Sequence, residues 1–166
     1  MLRSVKKLLD KTLEFVVMVC VGLLVLDVLW QVFTRKVLDN PSKWTEELAV
    51  ILLVWVALLG AAVALGRGAH LGIDYFASKL NAKKRILTEI ISFDLIALFS
   101  VYVMVYGGFD LVRSTLELGQ ITPALGLKMG YVYLAVPVSG LFMLLYSIIG
   151  QVERVEALSS SSKEAK

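Results

Sequence analysis

The chain carries one cysteine, one histidine and three prolines in 166 residues, and only 19% of its residues are charged. Each scarcity excludes something. Cys20 alone cannot form an intrachain disulfide, which rules out a thiol–disulfide oxidoreductase, an activity that needs two thiols. His70 alone excludes a haem held between two histidines, and a metal site wants several ligands. No nucleophile, base and orienting residue fall into a catalytic pattern, and no glycine-rich loop suited to phosphate is present. No catalytic, cofactor-binding or metal-ligating residue is therefore expected, and the chain reads as something other than an enzyme. An internal repeat is missing too, which counts against a self-contained transporter built from inverted halves. The net charge of +3 does not point to nucleic acid, because the basic residues flank apolar runs, where they face lipid headgroups or fix orientation.

Apolar side chains are abundant: 58% of the residues, with a mean hydropathy of +0.77. Four runs, Leu13 to Phe33, Leu48 to Leu65, Ile86 to Tyr106 and Lys128 to Ile149, lie between charged loops. Each approaches the roughly 20 residues that carry a helix across about 30 Å of hydrocarbon. None shows the polar face of a soluble core helix. The expected fold class is all-α integral membrane, with four transmembrane helices plus a short interfacial amphipathic helix after the second span. That last element is read from His70 to Leu80, where Leu71, Ile73, Tyr75, Phe76 and Leu80 are set against His70, Asp74, Ser78 and Lys79. Residues 1–158 form one four-helix membrane domain, and residues 159–166 a disordered cytoplasmic tail.

Charge sets the orientation. The N-terminus, the segment between spans two and three, and the C-terminal tail together hold 12 of the 17 basic residues. With an even number of spans, the positive-inside rule places both termini in the cytoplasm. The opening Met-Leu-Arg-Ser-Val-Lys-Lys looks like the start of a signal peptide, but the apolar stretch is too long and no Ala-x-Ala site follows. An uncleaved first helix is expected, led by a short basic helix over residues 1–12 at the inner surface. Trp30, Phe33 and Trp44 mark the outer aromatic belt. Asp39 to Ser42 form a turn, Ser42 caps the second span, and Glu46 and Glu47 occupy its first turn, where the helix dipole favours acids. Span three is expected to project outward as a polar helix through Asp110, Arg113 and Glu117, ahead of an outer loop from Gly119 to Gly126.

Two carboxylates inside the spans are anomalous. Asp27 lies roughly 9 Å below the outer end of span one, at about 1.5 Å per residue. Asp94 lies roughly 12 Å from the inner end of span three by the same rise. Their depths argue against a shared site. An intramembrane acid is by default an ion or proton relay, but satisfaction by a Ser, Tyr, Trp or Arg of a neighbouring helix, in this chain or a partner, is the favoured reading for each. Small residues in span two recur at helical spacing, as Ala57-x-x-x-Ala61 and Gly60-x-x-x-Ala64-x-x-x-Gly68, so Gly60, Ala61 and Ala64 are expected to lie against a helix of this chain or a partner. Gly126-x-x-x-Gly130 and Pro137 to Gly140 could do the same around span four, with Pro137 bending it. His70 and Asp74, one turn apart, suit a side-chain hydrogen bond on the interfacial helix. At least one of Glu46 and Glu47 is expected to pair with Arg35 or with a basic residue of a partner.

The stretch from Arg35 to Leu80 resembles the small membrane subunit of TRAP (tripartite ATP-independent periplasmic) transporters. Arg35 precedes the turn, then come Pro41-Ser42-Lys43-Trp44-Thr45-Glu46-Glu47, Trp55 within the span, Leu59-Gly60-Ala61-Ala62, and His70-Leu71-Gly72-Ile73-Asp74 at its inner end. The four-span length and the short outer loop with Pro123 extend the likeness over nearly the whole chain. Asp27 and Asp94 stand outside the pattern. The resemblance implies a scaffold subunit of the bacterial inner membrane, set in lipid beside a large membrane subunit and helping to dock a periplasmic binding protein. It further implies sodium-coupled import of an organic acid such as sialic acid or a C4-dicarboxylate, with the sodium and substrate sites in the large subunit. The rival readings are a small stand-alone homo-oligomeric transporter or channel, and the membrane anchor of a respiratory enzyme, already weakened by the single histidine.

Overall fold

The computed structural model describes residues 2–40, 42–68 and 82–164. His70, Asp74, the amphipathic stretch to Leu80, and Pro41 lie outside the described residues. The helices are α1 (Leu2–Lys36), α2 (Lys43–Gly66), α3 (Ala82–Phe99), a π-helical segment (Ser100–Gly107), α4 (Gly108–Glu117), α5 (Met129–Tyr133) and α6 (Ala135–Glu164). Four stretches are long and apolar enough to cross a membrane: Lys6–Lys36, Lys43–Gly66, Lys84–Glu117 and Met129–Val155. The first three contain their expected runs and the fourth starts one residue later than expected; helix is what such runs must form, because in hydrocarbon every backbone N–H and C=O needs an internal partner.

Two boundaries differ from expectation, and spans three and four carry internal irregularities. α1 runs unbroken from Leu2, so the basic N-terminal residues prolong span one rather than forming a helix of their own. Once a packed helix exists, each added residue costs little, since only nucleation is expensive. The same logic extends α6 through Glu164, so helix stands over residues 159–164 where disorder is expected. Span three continues through Gly108 to Glu117 as foreseen, but by way of eight π-helical residues. Span four is interrupted at Leu134. Pro137 explains the break, because it has no N–H for the Tyr133 carbonyl and its ring crowds that carbonyl.

The four spans lie side by side in the order one, two, four, three. α1 packs on α2, α2 on α6, and α6 on α3 and the π-helical segment. No Cα of span one comes within 8 Å of span three, nor of span two with α3. The result is a layer one helix thick. The half nearer the two chain termini is closed by a cluster of Leu13, Leu59, Ala62, Leu65, Phe93 and Tyr146, with Trp55 packed against it. In the other half α1 lies against α2, and Leu26, Leu29, Trp30 and Phe33 are exposed.

Close contacts are made by glycines that the repeat reading mostly overlooked. A Cβ on Gly140 would stand 2.6 Å from Met104 Cβ, one on Gly150 2.5 Å from the Phe93 ring, and one on Gly66 2.7 Å from the Tyr146 ring. Gly108 accommodates the Pro137 ring, whose Cδ lies 2.9 Å from where a Cβ would be. Gly126, by contrast, has φ +65° in the outer loop, so Gly126 and Gly130 do not share a helix face. Gly140→Ala should therefore destabilise the chain by about 1–3 kcal/mol, the usual cost of overpacking. Gly22→Ala, where a Cβ meets nothing within 4 Å, should not. Thermal denaturation of the two variants in detergent checks the contrast.

Candidate functional site

One end of the layer is held by charge. Lys6 pairs with Glu153 at 3.4 Å and Arg67 with Glu14 at 2.8 Å. Glu89, buried on span three, takes Arg85 at 3.1 Å and Arg154 at 2.7 Å. Asp94 accepts a hydrogen bond from the Gln151 amide one turn deeper in the same seam. These contacts gather both terminal helices, the end of span two and the start of span three at one face of the layer. Asp94 is thereby satisfied within the chain, although by Gln rather than by a residue type that was expected. Glu89 escaped the sequence reading, yet Arg85 four residues earlier was a visible signal.

The opposite end carries the aromatic belt and a clasped loop. Trp30 and Phe33 stack obliquely with ring centroids 5.7 Å apart. Ser42 takes the N-cap position of α2, but its hydroxyl donates to Thr45 Oγ1 at 2.9 Å, and Thr45 donates back to the Ser42 carbonyl at 2.8 Å. The loop after α4 turns at Gly119 (φ +63°) and Gly126 (φ +65°), conformations that glycine adopts without strain. Thr122 closes the loop: its N–H donates to the Leu127 carbonyl at 2.8 Å, and its hydroxyl accepts the Leu127 N–H at 3.1 Å. The N–H groups of Ala124 and Leu125 are left pointing together. Both donate to the Glu47 carboxylate, at 2.7 and 2.9 Å.

Glu47 thus pins the loop after α4 onto span two through charge-assisted bonds to two backbone N–H groups, the stronger kind. The sequence located the acid but not its partner, since an orphan backbone N–H leaves no mark in a sequence. Arg35 makes no ion pair with Glu46 or Glu47 among the described residues. Beside the clasp is an open cleft of about 760 Å³, floored by Val50, Ile51 and Val132 and edged by Lys43, Glu46 and Pro123.

Two further features lie within the spans. Ala61 and Ala64 are exposed, and a Cβ on Gly60 would meet nothing within 4 Å. The small-residue face of span two is therefore not packed by any of the described residues, because the side that meets α1 and α6 carries Leu59, Ala62 and Leu65 instead. Asp27 is the second. It is 6% exposed, and neither carboxylate oxygen has a hydrogen-bond partner. It lines a pocket of about 280 Å³ with Leu23, Leu26, Trp30, Trp44, Leu48 and Leu52. No group of three or more acids, Cys or His suited to a metal ion occurs among the described residues.

Residues 24–157 match the family described as tripartite ATP-independent periplasmic transporters, DctQ component. The chain is 29% identical over 154 residues to the sialic acid TRAP transporter small permease protein SiaQ of Vibrio cholerae, covering 93% of this chain and 85% of that one. It is 35% identical over 100 residues to the C4-dicarboxylate TRAP transporter small permease protein DctQ of Rhodobacter capsulatus, covering 60% of this chain and 44% of that one. It is also 28% identical over 122 residues to the sialic acid TRAP transporter permease protein SiaT of Haemophilus influenzae, covering 73% of this chain and 19% of that much longer protein. The chain belongs to the DctQ family of TRAP transporters, and is a multi-pass membrane transporter subunit rather than an enzyme.

Proposed function

We propose that this chain is a fixed flank of a TRAP transporter of the bacterial inner membrane, widening the scaffold of a large permease subunit without carrying substrate or sodium itself. The observation that supports this most is the one-helix-thick layer with open faces. A transporter that moves its own cargo builds a polar site near the bilayer midplane between helices that surround it. Here the spans surround nothing, and the single open carboxylate lies in an apolar pocket. The open Gly60, Ala61 and Ala64 face suits close approach by a helix of the large subunit. The clasped loop and its cleft offer a shaped outer surface to a periplasmic binding protein. The basic residues at the charged end support a cytoplasmic position for both termini. The names of the relatives make an organic acid, sialic acid or a C4-dicarboxylate among them, the substrate class to test, with sodium as the coupling ion.

Reconstitution tests the reading. Liposomes holding this chain and the large subunit, given the binding protein and an inward sodium gradient, should accumulate the acid. Liposomes with this chain alone should accumulate none. Uptake by this chain alone, or full uptake by the large subunit without it, would overturn the proposal.

A further inference from the structure

We infer that Asp27 and its tryptophan-edged pocket receive a basic side chain from a transmembrane helix of the large subunit, a contact that rests on the assembly proposed above. An acid within a span is expensive unless something answers it. Asp94 shows how this chain answers one, with Gln151 from the adjacent span. Among the described residues Asp27 has no such group: its pocket is lined from α1 and α2, and α2 offers only Trp44, Leu48 and Leu52 there. The chain's own outer cations do not serve, since Arg35, Lys36 and Lys43 sit at the helix ends and make no ion pair with it.

Depth selects the occupant. Asp27 lies nine residues below Lys36, roughly 13 Å along the axis at 1.5 Å per residue. A lipid ammonium held at headgroup level would have to descend that distance. A lysine or arginine on a neighbouring helix can stand at the right depth from the start. The walls suit a cation, because Trp30 and Trp44 can present ring faces to it while the carboxylate neutralises it. Neither indole is fully packed within the chain, Trp30 being 48% and Trp44 42% exposed, so a partner side chain can reach both rings. Trp44, Leu48 and Leu52 lie on roughly the opposite side of α2 from Ala57, Gly60 and Ala64, at 100° per residue. The Asp27 contact is thus separate from the small-residue face and can fail independently of it.

Asp27→Asn keeps the shape and removes the charge. In the co-expressed complex it should cut recovery of the large subunit at least fivefold, while Asp27→Glu should retain most of it. A photo-crosslinking residue at Leu26, in a chain that keeps Asp27, should join the large subunit within one helical turn of a lysine or arginine. Changing that cation to methionine should cost as much as Asp27→Asn, and combining the two changes should restore recovery, as expected when neither charge is left buried alone. Wild-type recovery for Asp27→Asn would overturn the inference and mean a neutral acid in the bilayer. Crosslinks to lipid only, or additive losses in the double variant, would overturn it as well. If wild-type chain and large subunit never co-purify, the assembly itself fails, not this contact.

Discussion

Gly60→Leu should leave the chain inserted and folded while stripping away the large subunit. The position has nothing within 4 Å of a would-be Cβ, so a leucine there strains no contact inside the layer. In lipid, however, helices associate by close backbone approach across small residues, and a side chain several ångströms wide holds them apart. Recovery of the large subunit on an affinity-tagged chain should drop about tenfold, equivalent to about 1.4 kcal/mol of association free energy. Sodium-driven uptake should fall in proportion. Gly140→Leu is the contrast, because its side chain would drive into Met104 and the π-helical backbone. That variant should be lost as unfolded or degraded protein before assembly can be scored. A Gly60→Leu chain that co-purifies and transports like wild type would mean that this face looks onto lipid.

This pair of glycines shows where reading the sequence stops. Hydropathy located the four spans because the bilayer imposes length and composition on any segment crossing it, whatever its neighbours. Within the spans, Gly60 and Gly140 look alike: each is a small residue among apolar ones. Only the lateral order of the helices decides that Gly140 meets Met104 while Gly60 meets nothing. That order, one–two–four–three, has no local signature, since all four spans are apolar on every side. The two intramembrane acids were equally conspicuous and equally ambiguous. Asp94 is answered because span four passes beside it, and Asp27 is not because α1 stands at the edge of the layer. The resemblance carried the family correctly because its motif, Trp44 to Glu47 followed by Trp55 and Gly60, depends on order and spacing rather than on packing.

Glu47→Gln should release the loop between α4 and α5 without disturbing the spans. The carboxylate accepts from two adjacent N–H groups at once, with an oxygen for each. Glutamine has one carbonyl oxygen, and its amide group would confront the second N–H with another donor. The loop's backbone closure, Thr122 N–H to the Leu127 carbonyl and Gly126 N–H to the Thr122 carbonyl, should survive, because those two bonds do not involve Glu47, although the Thr122 hydroxyl also hydrogen-bonds to the carboxylate. The loop as a unit should then swing off span two and widen the cleft over Val50 and Ile51. Amide hydrogen exchange reads this directly: the Ala124 and Leu125 protons should exchange at least tenfold faster than in the wild type, while those of α2 below Val50 keep their protection. If the outer surface is what the binding protein recognises, uptake at limiting binding protein should fall and recover when binding protein is raised. Glu46→Gln is the internal control, since Glu46 has no partner among the described residues and edges the cleft without clasping the loop. Unchanged exchange at Ala124 and Leu125 in the Glu47 variant would mean that the loop holds its position by its own turn alone. The acid would then serve span two only as a charge at its helix N-terminus.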